Sequence, residues 1–236
     1  KIKIIGGEPT VAPDMFKLLD RCVETGHAEH IELSFYTNIT NMQDKWLEQL
    51  GKFEKAIINC SLEGMGAMND YLRPPSKWDS VWQKFDKLVK YSNTKDGKRI
   101  KVRVTTVNQI TNALHIADFW RYMHDYQMQH DRGIAMSTNQ LVEPNYYSMA
   151  YAPDWLRKEQ EVKIMEFLNS IGNSPHFTDY EEPLMEVINF AKDPKHKYNE
   201  QIMRQYVEVT EKYDKFRGHD IMTVAPEFTR IRDALR

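Results

Sequence analysis

The chain has 236 residues, of which 41% are hydrophobic and 28% charged, and its 32 basic and 34 acidic side chains give a formal net charge of −2. This composition is typical of one large globular domain with or without an extension, and it excludes disordered and fibrous classes. The near-zero charge does not indicate nucleic acid or an acidic membrane as a partner.

Strand and helix patterns alternate along the first 150 residues. Apolar or β-branched runs predict five strands, at 1–5, 31–36, 56–62, 100–107 and 134–137. Apolar residues at helical spacing predict helices between them, from 14 to about 23, at 43–50, 78–89 and 112–123. Gly64, Gly66, Pro74 and Pro75 predict a loop after the third strand.

The alternation of strands and helices is typical of βαβ units, and it predicts a parallel sheet with right-handed crossovers. The pattern changes after Pro153, where 155–168, 180–190 and 195–213 read as helices without intervening strands. We therefore predict an α/β domain at 1–153 and a helical C-terminal extension at 154–236.

Ligands of parallel α/β proteins collect at the carboxyl ends of the strands. Here each predicted strand ends in small or polar residues, and the first is followed by Gly6, Gly7, Glu8 and Pro9. Two glycines let a ligand approach the backbone closely, and the carboxylate of Glu8 suits an ammonium group. A phosphate site at this turn is disfavoured because Glu8 would repel the anion.

Several motifs resemble radical S-adenosylmethionine (radical SAM) enzymes of the twitch-domain subgroup. IIGGEPT at 4–10 resembles their second-strand motif, and YTN at 36–38, CSLEG at 60–64, NDYLRPPSKWDSV at 69–81 and TTVN at 105–108 follow in the family's order. The resemblance covers roughly residues 1–150. It implies a partial (β/α)6-type parallel barrel that is TIM-barrel-like and lacks its first strand.

The resemblance implies eight residues that bind S-adenosylmethionine (SAM): Gly6, Gly7, Glu8, Pro9, Asn38, Ser61, Arg73 and Asn108. The first four would hold the amino group of the methionine moiety. Ser61 and Arg73 would face its carboxylate, and a guanidinium can bind a carboxylate through two hydrogen bonds. Asn38 would lie near the ribose or the substrate, and Asn108 near the ribose and adenine.

The family's CxxxCxxC segment, which binds a [4Fe–4S] cluster, would lie upstream of Lys1 and is not in this sequence. The two cysteines, Cys22 and Cys60, are predicted to pack in the core, and we expect no metal ligands in this chain. Their spacing argues against a disulfide framework or a zinc site. It favours a reducing cytoplasm, and the sequence shows no signal peptide and no apolar run long enough to span a membrane.

Two functions remain open. In a radical SAM enzyme, the reduced cluster would cleave SAM, and the 5′-deoxyadenosyl radical would take hydrogen from an unknown substrate, a peptide or a small molecule. Flavodoxin or ferredoxin would supply the electron, and this fragment alone would be inactive. No catalytic side chain is assigned, although Tyr146, Tyr147 and Tyr151 could quench a substrate radical. The alternative is a degenerate barrel that binds or scaffolds without catalysis.

Overall fold

The computed structural model describes residues 1–130 and 133–236. Within these ranges the strands are β1 (Ile2–Ile4), β2 (Glu32–Thr37), β3 (Lys55–Ser61), β4 (Ile100–Asn108) and β5 (Ala135–Gln140). The helices are α1 (Pro13–Glu24), α2 (Asp44–Leu50), α3 (Ala67–Leu72), α4 (Trp78–Ser92), α5 (Ile116–His130), α6 (Asp154–Ser170), α7 (Phe177–Lys192), α8 (Glu200–Arg217) and α9 (Phe228–Asp233).

The five strands form one sheet in the order β1-β2-β3-β4-β5. The pairs β1–β2, β2–β3 and β3–β4 are parallel. The carboxyl ends of β4 and β5 also meet, since the amide of Leu141 donates to the carbonyl of Asn108 at 3.0 Å. The predicted mixed α/β fold with a parallel sheet is therefore confirmed, whereas closure of the sheet into a barrel stays a prediction.

Contacts divide the chain into two compact units. Unit 1 contains Lys1–Leu62, Pro75–Thr105 and a short segment that ends at Ala135. Unit 2 contains Glu63–Pro74, a segment that begins at Thr106 and includes α5, and Met136–Arg236. The domain boundary expected between residues 153 and 154 stays a prediction.

In unit 1, β2, β3 and the first six residues of β4 have one apolar face. This face is formed by Leu33, Phe35, Ile58, Cys60, Val102 and Val104. The Phe35 ring lies 5.9 Å from that of Trp46 on α2, which contacts Phe16 on α1 at 4.5 Å. Helices therefore cover this face, and because side chains alternate along a strand, the intervening residues point to the opposite face.

The first strand is more exposed than its sequence predicts. A buried strand was expected at 1–5, but Lys3 is exposed, Ile2 and Ile4 are only half-buried, and Ile5 is 78% exposed. The reason is that β1 pairs only with β2 among the described strands, so its other edge has no neighbour in this part of the chain.

Unit 2 has its own apolar core. Its buried members include Met149, Leu156, Met203, Tyr206 and Phe228. α6 packs against both α5 and α7, so the helices expected after Pro153 are present. Among the described residues, none of the helices combines the length and apolar character needed to cross a bilayer.

The prediction of a loop after β3 is wrong in part, because this segment contains the short helix α3. Gly66 precedes this helix with a φ of 57°, and Pro74 follows its end. The glycine and proline signals therefore mark the borders of a helix. Burial of Met68 and Asn69 in unit 2 stabilises it, and such tertiary packing is not visible in local sequence.

Candidate functional site

The glycine pair forms an open turn at the carboxyl end of β1. Gly6 and Gly7 have φ angles of 93° and 57°, values that residues with a Cβ rarely adopt. A Cβ at either position would meet no heavy atom of the described residues within 4 Å. Backbone conformation, and not crowding, therefore requires glycine here, and the turn borders open space.

The carboxylate of Glu8 ties this turn to the end of β2. Its Oε1 accepts hydrogen bonds from the amide and the hydroxyl of Thr10, at 3.1 and 2.5 Å, and from the hydroxyl of Thr37 at 2.7 Å. Its Oε2 accepts one, from the amide of Asn38 at 2.6 Å. A carboxylate oxygen has two lone pairs that can accept hydrogen bonds, and the three donors on Oε1 leave Oε2 as the less occupied oxygen. Oε2 therefore keeps capacity for one more donor.

The end of β2 is a tight turn held by side chains. Ile39, which is β-branched and buried, has a φ of 61°, a conformation that costs about 1–3 kcal/mol. Its amide donates to the Thr37 hydroxyl at 3.0 Å. The side-chain oxygen of Asn38 accepts from the amide and hydroxyl of Thr40 at 3.0 and 2.6 Å. Asn38 thus meets Glu8 through its main chain.

A cavity of about 340 Å³ lies beside the turn, in unit 1. It is lined by Gly6, Gly7, Glu8 and Pro9, together with Ile4 and residues of α1. Four of the predicted SAM-binding residues, which are consecutive in the sequence, therefore line one opening, and their contact with SAM stays a prediction. Asn38 adjoins them through the hydrogen bond to Glu8.

Ser61 and Cys60 end β3 on opposite faces of the sheet. Ser61 is half-buried and pairs with Thr105 of β4. Cys60 is fully buried; burial raises the pKa of its thiol, and the negative charge of Glu8 raises it further. Cys22 lies half-buried on α1.

These thiols do not fit a [4Fe–4S] cluster. Three thiolates are needed to leave the fourth iron for SAM, and a buried thiol with a raised pKa resists ionisation. In the described parts of the chain, no group of three or more His, Cys, Asp or Glu side chains is arranged to hold a metal ion. The expectation that the ligands lie upstream of Lys1 stays a prediction.

In unit 2, Arg73 is engaged by a buried carboxylate. Its guanidinium donates from Nε to Glu63 Oε1 at 3.1 Å, and a terminal nitrogen donates to the same oxygen. Glu63 is only 4% exposed, and its Oε2 accepts from the amide of Val107 at 2.6 Å. The side chain of Asn112 donates to the Glu63 carbonyl at 2.9 Å. The contact of Arg73 with SAM stays a prediction.

Asn108 is also bound within unit 2. Its side-chain nitrogen donates to Gln140 and its side-chain oxygen accepts from Gln160, both at 2.8 Å. The residue is fully buried. Its side chain therefore joins the end of β4 to β5 and α6, and its predicted place near the ribose and adenine stays a prediction.

The three tyrosines considered for quenching a substrate radical lie on the apolar core of unit 2. The rings of Tyr146 and Tyr147 are 4.9 Å apart, and Tyr151 packs against the same core. Burial raises the pKa of Tyr147 to about 12. A role in quenching a radical stays a prediction for all three.

Two residues at the predicted strand ends were given no role from the sequence. Thr37 joins Glu8 to the β2 turn, and its signal was a hydroxyl between Tyr36 and Asn38 at a strand end. Glu63 follows β3 and joins Arg73 to the amide of Val107 within unit 2, and its signal was an acid in the CSLEG motif ten residues before an arginine. Both signals are weak because the sequence does not show which residue each side chain contacts.

No protein-family model matches the sequence, and no curated protein matches it. Solved structures that match include SuiB from Streptococcus suis bound to S-adenosylmethionine, at 15% identity and a TM-score of 0.47 over 72% of this chain and 35% of SuiB. A second SuiB structure matches at 17% identity and 0.47 over 71% and 36%. SuiB bound to the precursor peptide SuiA matches at 18% and 0.44 over 95% and 40%. The chain thus spans well under half of SuiB.

Proposed function

We propose that this chain is the SAM-binding part of a radical SAM enzyme of the twitch-domain subgroup. The observation that carries the proposal is the turn after β1. There, the Glu8 carboxylate keeps one accepting position on Oε2 beside two glycines that border open space. The occupant of that position would be the amino group of the methionine moiety.

The chemistry of the turn supports an ammonium ligand. Hydrogen bonds in which both partners are charged are among the strongest in proteins. Glu8 is already fixed by its bonds to Thr10, Thr37 and Asn38, so little conformational entropy is lost when a ligand binds. The glycines leave room for the ligand to reach the main chain.

The remaining contacts are part of the proposal. Ser61 and Arg73 would face the carboxylate of SAM, and Asn38 and Asn108 its ribose and adenine. Because two N–H groups of Arg73 already bind Glu63, the carboxylate would have to use other N–H groups of the five on a guanidinium.

When bound, the [4Fe–4S] cluster would supply the electron for SAM cleavage. Cys22 and Cys60 do not suit it, so the proposal takes its ligands from outside this sequence. The role of this chain's own residues is to bind and orient SAM and to exclude water. The proposal takes flavodoxin or ferredoxin as the electron donor and a peptide or a small molecule as the substrate.

A binding experiment tests the proposal. Affinity is measured by calorimetry for SAM and for 5′-methylthioadenosine, which lacks the amino-acid moiety. We expect SAM to bind and methylthioadenosine to bind at least about tenfold more weakly, because it cannot form the charged hydrogen bond. Absence of SAM binding, or equal affinity for SAM and 5′-methylthioadenosine, contradicts the proposal.

The degenerate-barrel alternative is favoured by one observation, the engagement of Arg73 by Glu63. The two functions differ in the full-length protein. After anaerobic reconstitution with iron and sulfide and reduction, an enzyme releases 5′-deoxyadenosine from SAM. A scaffold that binds SAM without cleaving it produces none.

A further inference from the structure

The face of the sheet opposite the apolar one carries an excess of positive charge. In unit 1 the strand register places Lys3, Ser34, Ile57 and Lys101 in one row across β1 to β4. The next row toward the carboxyl ends contains Tyr36, Asn59 and Arg103. We call the side of the sheet that bears Lys1, Lys3, Glu32, Lys55, Lys101 and Arg103 the cationic face.

Glu32 is the acidic residue of the cationic face, and it is already paired. Its Oε1 lies 3.0 Å from Nζ of Lys1, at the amino end of the sheet. Lys3, Lys101 and Arg103 are exposed, and none of the ion pairs found among the described residues includes them. Within residues 1–130 and 133–236, these two lysines and one arginine are therefore exposed and form no ion pair with a carboxylate.

A cavity borders three of these basic residues. It has a volume of about 360 Å³, and its lining combines Lys55, Lys101 and Arg103 with Val102 of the apolar face, with Val89 and Ser92 of α4 and with 133–135. No acidic side chain of the described residues lines it. Small-molecule pockets begin at about 300 Å³, so this cavity can take the side chains of a ligand.

We propose that the cationic face binds an acidic peptide segment, which, if the proposed function holds, is the substrate of the enzyme. Lys3 and Lys101 lie on strands three positions apart, which corresponds to about 14 Å at the usual strand spacing. A single small anion cannot reach both, whereas an extended peptide with several carboxylates can. Its alternate side chains recur about every 7 Å.

The position of the cationic face suits the proposed SAM site. Ser61 and Thr105 form the row at the carboxyl end of β3 and β4, and Arg103 lies two residues before Thr105. That separation is about 7 Å along the strand. A carboxylate bound to Arg103 would therefore hold a neighbouring carbon of the peptide near the strand ends, where the Gly6–Pro9 turn also lies.

The test uses the full chain and a fluorescein-labelled peptide of alternating glutamate and alanine, with a counterpart in which glutamine replaces glutamate. We expect anisotropy to show binding of the acidic peptide that weakens steeply with salt, and little binding of the glutamine peptide. Equal binding of both peptides, or tighter binding of a short single-stranded DNA than of the acidic peptide, overturns the inference.

Variants locate the surface. The double variant Lys101→Gln/Arg103→Gln should lower the affinity for the acidic peptide about tenfold, since two exposed charge pairs are lost. The matched control Arg21→Gln/Lys95→Gln removes the same charges from exposed positions on α1 and after α4, and it should change affinity less than about twofold. Equal weakening by both variants contradicts the inference. Because all four side chains are exposed, thermal unfolding should be unchanged in both.

The two proposals can fail separately. Lys101 and Arg103 are not among the proposed SAM contacts, so their double variant should bind SAM normally. Glu8→Gln should keep peptide binding. If the chain binds no SAM but binds the acidic peptide through Lys101 and Arg103, the proposed function fails and the binding surface stands. If SAM binds and the acidic peptide does not, the inference alone fails.

Discussion

Two glutamates follow strands of the sheet, Glu8 after β1 and Glu63 after β3, and their surroundings differ. Glu8 in unit 1 is half-buried and accepts four hydrogen bonds, three of them on one oxygen. Glu63 in unit 2 is almost fully buried, and its carboxylate is shared between Arg73 and the amide of Val107. The first lies at an open turn, whereas the second is enclosed by its own unit.

The difference shows how a strand-end acid acquires a role. Both residues stand in motifs of the same proposed family, and both anchor main chain. Only Glu8 combines spare accepting capacity with an adjacent opening, so only Glu8 is suited to receive a ligand. Glu63 is suited to hold the end of β4 and Arg73 together within unit 2. Four experiments follow, of which the first two test this contrast directly and the others test the burial of side chains in each unit.

The largest effect is expected for Glu63→Ala. The substitution leaves the Arg73 guanidinium without this partner and the Val107 amide without its acceptor. Removing one member of a buried ion pair costs about 3–5 kcal/mol, so the free energy of unfolding in urea should fall by about that amount. Glu24→Ala, at the exposed end of α1, is the control, and a loss below about 1 kcal/mol for Glu63→Ala contradicts an anchoring role.

Substitution of two glycines should give opposite patterns. Gly7→Ala should cost about 1–2 kcal/mol because of its positive φ, and Gly7→Asn should cost less, since asparagine tolerates that conformation. At Gly64 a Cβ would lie 2.7 Å from Cγ of Met68, so the larger asparagine should be worse than alanine. Unfolding free energies of the four variants measure this. The same order at both sites would contradict the distinction between an open turn and a packed one.

Alkaline pH should weaken unit 2 through Tyr147. Its pKa is raised to about 12 from an ordinary 10, chiefly by burial. The neutral phenol is therefore favoured in the folded state, so this stabilisation is complete below about pH 10 and is lost as pH rises through about 12. Because Tyr147 is only half-buried, we expect less than about 1 kcal/mol. Tyr147→Phe should flatten the fall in melting temperature above pH 10, and an unchanged fall would refute this assignment.

The smallest effect concerns the two thiols. Cys22 is half-buried, whereas Cys60 is buried and its pKa is raised. Ellman's reagent should therefore modify one thiol in the native chain and both in urea, and Cys22→Ser should abolish the native reaction. Fast native modification of the Cys22→Ser variant would show that the apolar face of the sheet is not closed over Cys60.

Local sequence patterns predicted most helices and strands, because the spacing of apolar residues in each element matches the periodicity of a helix or of a strand. The strand 100–107 reads as β-branched, and β4 is Ile100–Asn108. Prediction failed where contacts with residues distant in the sequence determine the local structure. β1 is exposed because no described strand covers its edge, and α3 forms between glycine and proline because Met68 and Asn69 are buried in unit 2.

The candidate site was predictable only in part. The Gly6–Pro9 turn and its acid could be found in the sequence, because position after a strand and residue type are both visible there. The partners of Arg73 and Asn108 could not, since Glu63, Gln140 and Gln160 lie between 10 and 52 residues away. The grouping of basic residues on the cationic face likewise depends on the strand register, which the sequence alone does not show.

The most direct measurement compares Glu8→Gln with the unaltered chain for two ligands. SAM has an amino group and 5′-methylthioadenosine does not. If Glu8 receives that amino group, the variant should lose about tenfold or more in affinity for SAM and keep its affinity for methylthioadenosine. Equal losses for the two ligands, or none for SAM, would show that the carboxylate serves only to hold its turn against β2.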